Sequence, residues 1–258
     1  MEIIQCVQND NVANVKDTIY AIKNAGFDGV FVQWYNKDWE ILQQEQVDLC
    51  KKLGLKILFA HLGYSNINQI WDSGEFGDKL IEDYKKDILD CKKNGINLVV
   101  MHLASKAGPQ VIDEIGLNRI KKIVAFAEEL NIKIAFENTR IYNVLEYVFN
   151  NIKSDIIGLC LDSGHLHCHF KDVFDWKKFK NKIFAIHFHD NIGQQDEHLL
   201  PFDGTINWDW LMGCLKDANY KGPVTLESCY RNDYLNMSLE QFYNESYKRA
   251  QKIKFLKI

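Results

Sequence analysis

Residues 185–190 read AIHFHD and close an apolar run that begins at Ile183 and Phe184. The run has the composition of a buried strand, yet it ends in two histidines and an aspartate. Successive side chains of an extended chain point to opposite faces. His187 and His189 therefore share one face, and Phe188 takes the other. Whether this ending means anything depends on how the other strands finish.

Seven further runs have strand character: residues 2–7, 29–34, 56–61, 97–103, 133–138, 157–163 and 223–230. With 183–190 they make eight. Between them lie segments of helical period. Val15, Ile19 and Ile22 form one apolar stripe; Ile81, Tyr84, Ile88 and Cys91 a second; Ile120, Ile123, Val124, Ala127 and Leu130 a third. Gly26, Gly54, Gly95 and Asn131 sit where such helices would end, ahead of the next strand. The strand runs are almost continuously apolar, the pattern of a parallel sheet covered on both faces. A doubly wound sheet would typically carry a glycine-rich turn after its first strand, but Gln8-Asn9-Asp10-Asn11 follows here. Eight strand–helix units in this length predict a single α/β domain over residues 1–258, a (β/α)8 TIM barrel.

The strand ends now become comparable. The third ends at His61, the fourth at His102, the fifth at Glu137-Asn138, and the sixth at Asp162, followed by Ser163-Gly164-His165. The seventh holds His187, His189 and Asp190, and the eighth reaches Glu227. Barrel closure brings all of these to the C-terminal mouth, where this fold keeps its active sites. Burying several carboxylates and imidazoles together is costly unless the charge is compensated. A divalent cation compensates it, and Glu, Asp and His are its natural ligands. His187 reads as a ligand, with its neighbours in support. Asp162 also has the position of a helix cap. His167 and His169 follow on a predicted helix and read as peripheral.

Composition narrows the partners. The chain has 258 residues, 47% apolar and 26% charged, with net charge −4. That balance gives no electrostatic reason to expect nucleic acid or an anionic membrane. No apolar run is long enough to span a bilayer, and the opening Met1–Cys6 reads as a strand rather than a leader. The seven cysteines are irregularly spaced with no C-x-x-C pair, which fits free thiols in a reducing compartment such as the cytoplasm. The sequence leaves a homo-oligomer open.

Taken together, F-E-N at 136–138, L-D-S-G-H at 161–165, H-F-H-D at 187–190, D-E-H-L-L-P-F-D-G-T-I-N-W at 196–208 and G-P-V-T-L-E at 222–227 resemble the xylose isomerase-like barrel superfamily. That group includes sugar isomerases and epimerases, inosose dehydratases and endonuclease IV. The resemblance implies a divalent metal (Mn, Zn, Co or Mg) held by Glu137, Asp162, His187 and Glu227. His187 is preferred to His189 because the pattern pairs the ligand histidine with an acid three residues on, here Asp190. It implies a sugar, sugar phosphate or cyclitol substrate whose enediolate the metal stabilises. Glu137 and Glu227 would pass the proton, and His165 would contact a hydroxyl. Trp34 and Tyr35 are candidate platforms for a sugar ring.

The resemblance also implies a rival, an abasic-site endonuclease with a three-zinc cluster. His61 and His102 with Glu137 would take one ion; Glu137, Asp162, His187 and Glu227 the second; His165, Asp196 and His198 the third. Tyr64 matches that branch as well. Against it, Gly164 replaces the usual cysteine of D-T-C-H, only four arginines occur in the chain, and the segment at 35–37 reads as a short loop. Asn191-Ile192-Gly193 lacks the arginine that ketose 3-epimerases often supply there, which counts against that subclass.

Overall fold

The structure is a computed structural model that describes residues 1–8, 13–34, 43–106, 108–170 and 173–256. Eight parallel strands run β1 Ile3–Val7, β2 Gly29–Trp34, β3 Lys56–Leu62, β4 Leu98–Met101, β5 Lys133–Glu137, β6 Ile157–Asp162, β7 Ile183–His187 and β8 Val224–Leu226. Neighbours follow sequence order, with β8 also pairing β1. The last seam closes through Phe188, whose N–H donates to the Thr225 carbonyl at 2.8 Å. The Glu227 N–H in turn donates to the Phe188 carbonyl at 2.9 Å. The molecule is a TIM barrel.

The helices are α1 Val15–Ala25, α2 Gln43–Lys52, α3 Glu75–Lys93, α4 Glu114–Glu129, α5 Tyr142–Asn151, α6 Ser163–His165, α7 Trp208–Asp217 and α8 Leu239–Phe255. The short α6 runs on into a wider turn over Leu166–Phe170. The stripes read from the sequence are the buried faces: Val15, Ile19 and Ile22 of α1 are all sealed from solvent. Each such side chain contributes about 1.5–3 kcal/mol by leaving water. Asn14 caps α1 by accepting from the Asp17 N–H at 2.8 Å, and Gly26 ends it at φ 98°, a left-handed conformation that suits glycine. Ser238 and Gln241 form a reciprocal capping box at the start of α8.

Two apolar layers result. One lies between the strands and the helices. The other fills the barrel and takes one residue from each of seven strands: Cys6, Phe31, Phe59, Val100, Ala135, Cys160 and Ala185. Thr225 of β8 is also fully buried. Several strands are shorter than their sequence runs, β7 stopping at His187 and β8 at Leu226. The polar residues beyond these points leave the ladder to build the mouth.

Candidate active site

The barrel plug places the site. Two residues beyond each plug residue, the same face of the same strand points inward again. Cys6 leads to Gln8, Phe31 to Gln33, Phe59 to His61, Val100 to His102, Ala135 to Glu137, Cys160 to Asp162, Ala185 to His187 and Thr225 to Glu227. A ring of polar side chains therefore sits one layer above an apolar floor. The His187 ring lies on that floor, stacked on Phe31 with centroids 4.8 Å apart and planes 10° apart.

Glu137 is the hub of the ring. Its Oε2 lies 3.1 Å from His61 Nε2, 3.2 Å from His102 Nε2 and 3.3 Å from His187 Nδ1. Its Oε1 lies 3.1 Å from His165 Nδ1. His187 Nδ1 is also 3.3 Å from Glu227 Oε2, so it stands between the carboxylates of β5 and β8. Beside them, Asp196 Oδ2 lies 3.2 Å from both His165 Nε2 and His198 Nε2. His189 Nε2 meets Asp162 Oδ2 at 2.9 Å, and its ring stacks on His198 with centroids 3.9 Å apart.

These donors suit a divalent cation. Asp162, His187 and Glu227 offer ligand atoms that all lie within 4.8 Å of one another, as do His61, Glu137 and His187. Both ring nitrogens of His187 are buried and lack a hydrogen bond, as are His165 Nδ1, His189 Nδ1 and Asp196 Oδ1. A buried donor or acceptor left unpaired costs about 1–3 kcal/mol, and an ion seated among them removes that cost. Above the ring opens a cavity of about 640 Å³, lined by Gln8, Gln33, Tyr64 and the histidines of β3 and β4, among others.

Backbone and side-chain ties hold the pieces in place. Asn138 brackets Asp162, accepting from its N–H at 2.7 Å and donating to its carbonyl at 2.9 Å. Asp162 also caps α6, accepting from the His165 N–H at 2.6 Å. Asp190 accepts from the N–H groups of Asn191, Phe202 and Ile206 and from the Trp208 indole, at 2.9 to 3.1 Å. It thereby pins the segment that carries Asp196 and His198. The sequence marked Asp190 as the partner of a pattern, but its role as a loop anchor was hidden until the fold supplied the donors. Tyr64 stacks on His102, with centroids 4.4 Å apart.

One expectation fails. Trp34 does not face the mouth. It is 5% exposed and packs in the outer core, while Gln33 takes the inward position on β2. The parity that sends Phe31 and Gln33 inward sends Val32 and Trp34 toward the helices. Tyr35 and the short loop at 35–37 lie outside the described residues. His167 bonds Thr205 Oγ1 at 2.9 Å, away from the ring, as its peripheral reading implied.

The model of the xylose isomerase-like TIM barrel family matches residues 19–257. The chain belongs to that family. This xylose isomerase-like barrel is 26% identical over 257 residues to an inosose isomerase of Halalkalibacterium halodurans, covering 91% of this chain and 88% of that protein. It is 28% identical over 197 residues to a probable endonuclease 4 of Mycoplasma mycoides, covering 66% of each. Its match to an uncharacterised protein of Sinorhizobium fredii, 33% identical over 118 residues, covers 45% of this chain and only 37% of that one. The fold is shared with a D-tagatose 3-epimerase-like protein (TM-score 0.77, 22% identity, 98% of both chains). It is also shared with the IOLI protein with a binding zinc atom (TM-score 0.75, 20% identity, 98% of this chain and 96% of that one).

Within the xylose isomerase-like barrel, Gly164 has a physical reason. A Cβ there would lie 2.0 Å from His189 Cε1, so His189 occupies the space a side chain would need. Gly164→Ala is expected to push the His189 ring off Asp162 and off His198. Cation affinity should fall by about 10–100-fold, the usual cost of losing a group that orients a ligand. His189→Ala should fall comparably, and adding Gly164→Ala to it should cost little more. Competition with a chelating dye measures all three; additive losses would contradict the coupling.

The electrostatics of the xylose isomerase-like barrel give a further expectation. Burial would raise the Glu137 carboxyl, but His102, His165 and His187 outweigh it and hold it well below its usual value. Asp162 and Asp196 are likewise held low against burial, Asp162 by His165 and His189, Asp196 by His198 and His165. Burial would lower the imidazoles, yet His165, His187 and His198 are held well above the usual 6.5. For His165 the cause is Asp162, Asp196 and Glu137, and for His198 it is Cys229 and Asp196. For His187 it is Cys160, Glu227 and Glu137. Cys160 is itself pushed up to about 12 by burial and stays a neutral thiol, so the carboxylates carry the charge. His102 goes the other way, lowered because burial outweighs Glu137.

The raised imidazoles stabilise the metal-free fold fully below 6.5 and lose that contribution as pH rises through their folded values. The depressed carboxyls stabilise it above their usual values and lose that contribution as pH falls through their folded ones. Metal-free stability should therefore peak in the weakly acidic window between. The same protons must leave before a cation binds, so affinity should climb as pH rises above 6.5. Calorimetry in buffers of different ionisation enthalpy should show net proton release; pH-independent binding would contradict it.

Proposed function

We propose that the protein is a divalent-metal-dependent sugar or cyclitol isomerase or epimerase that moves a proton on the carbon beside a carbonyl. The observation that carries this reading is the pair Glu137 and Glu227. They reach the same cavity from β5 and β8, with His187 between them, 3.3 Å from each. The inosose isomerase relative, matched along nearly the whole chain, supports the same reaction class.

Glu137, Asp162, His187 and Glu227 would hold the cation, which supplies Lewis acidity toward the substrate carbonyl oxygen. The remaining work falls to the chain. One of Glu137 and Glu227 takes the proton from carbon, and the other delivers one from the opposite side. His165 orients a hydroxyl, steadied by Asp196 at 3.2 Å. The apolar floor of Phe31 and Phe59 closes the barrel beneath the ring and excludes water from that side.

The test is solvent exchange. Metal-loaded protein incubated with ketoses and ketocyclitols in deuterated water should place deuterium on the carbon next to the carbonyl. Absence of exchange across such a panel would overturn the reading. A second reading, hydrolysis of a phosphodiester at an abasic site, draws on one specific observation. The donors for two further ions are also gathered, with His61 and His102 on Glu137 and with His165 and His198 on Asp196. Cleavage of an abasic-site duplex, together with three zinc ions per chain, would favour it.

A further inference from the structure

Two of the four arginines are spent on structure. Arg119 bonds Asp78 at 3.0 Å and the carbonyls of Ile70, Asp72 and Gly74. Arg249 bonds Asp203 at 2.8 Å and Glu245 at 2.7 Å. The other two, Arg140 and Arg231, line the mouth cavity together with Lys106. Lys106 follows β4, Arg140 follows β5 and Arg231 follows β8, so the cations enter from separate loops.

Among the described residues none of these three forms a salt bridge. Arg231 donates to the Glu197 carbonyl, a neutral acceptor. The acids that line the same cavity, Glu137, Asp196 and Glu227, are turned onto imidazoles at 3.1 to 3.3 Å. The mouth is thus acidic and imidazole-rich at its base and cationic along its wall. Three cations from separate loops lining one cavity favour an anionic group in it. Guanidinium forks and an ammonium group match a phosphate in charge and hydrogen-bonding geometry. A cavity of about 640 Å³ is the size of a small-molecule site.

We propose that the substrate is a phosphorylated sugar or cyclitol, its phosphate ester held by Lys106, Arg140 and Arg231 while its carbonyl end faces Glu137 and Glu227. The sugar part of this inference rests on the isomerase reading; the anion part rests on the cationic wall alone. Few arginines in the chain do not mean few at the mouth, since two of the four, Arg140 and Arg231, line it.

Calorimetric titration of the metal-loaded protein tests it with paired probes, D-fructose against D-fructose 6-phosphate, and with inorganic phosphate. The phosphorylated sugar should bind at least about tenfold tighter than the neutral one, the scale of one charged hydrogen bond. In a Lys106→Ala/Arg140→Ala variant with unchanged metal content, that preference and the affinity for inorganic phosphate should collapse. In the wild type the preference should also shrink as salt is raised, a measurement that needs no variant. Equal affinity for the two sugars would overturn the proposal. So would a variant that keeps the preference, since the anion would then sit on the metal. Tight binding of an abasic-site duplex lost in the variant, with no preference between the sugars, would overturn it in favour of nucleic acid. If deuterium exchange fails but the phosphate preference persists, the isomerase reading falls and the anion site stands.

Discussion

Glu137→Ala is expected to empty the site of metal. Its two carboxylate oxygens lie 3.1 to 3.3 Å from the imidazoles of His61, His102, His165 and His187, and among the described residues no other acid meets as many imidazoles. Removing it takes an oxygen donor from the ring and leaves the buried imidazoles of His165 and His187, which it helps hold well above their usual value, without that counter-charge. Breaking a buried charge pair from one side costs about 3–5 kcal/mol. The metal-free variant should therefore unfold at lower denaturant than the metal-free wild type at weakly acidic pH. The difference should narrow as pH rises and the imidazoles lose their protons. Elemental analysis of the purified variant gives the metal result, and denaturant titration at two pH values gives the second. Full metal content in Glu137→Ala would remove the basis of the proposed chemistry.

Glu227→Gln is expected to stop proton exchange while keeping the shape of the site. Glutamine preserves volume and one acceptor oxygen but cannot carry a proton between carbon and solvent. Losing a general acid–base group costs about 10²–10⁴-fold in rate, and deuterium incorporation at saturating metal should fall by that much. Metal affinity should also weaken, because a neutral amide is a poorer ligand than a carboxylate. Saturating the variant with metal separates the two effects. A variant that regains wild-type exchange once metal is added would assign Glu227 to binding alone.

Much of this was legible in the sequence. The alternation within AIHFHD put His187 and His189 on one face, and both do point into the mouth, one to Glu137 and Glu227, the other to Asp162. The helix stripes and caps were readable because burial and capping are local patterns. Trp34 departs from its expected place for a physical reason. In a strand buried on both faces an apolar run does not say which parity faces the barrel axis. The signal lay in Gln33, the polar residue among apolar neighbours. The Asp190 anchor and the Gly164–His189 fit were not legible, because each depends on chain segments that meet only after closure. The cationic wall is not legible in the arginine count, because only barrel closure brings Lys106, Arg140 and Arg231 from loops after β4, β5 and β8 to one cavity.

The fit between Gly164 and His189 sets an order on how this mouth can be altered. With His189 in place, a cysteine or alanine at 164 would collide with an imidazole ring that has neighbours on Asp162 and His198 and little room to retreat. A smaller residue at 189 opens the room first. Directed evolution that samples position 164 alone should return glycine, and libraries that vary 164 and 189 together should reach active sites that stepwise screening misses.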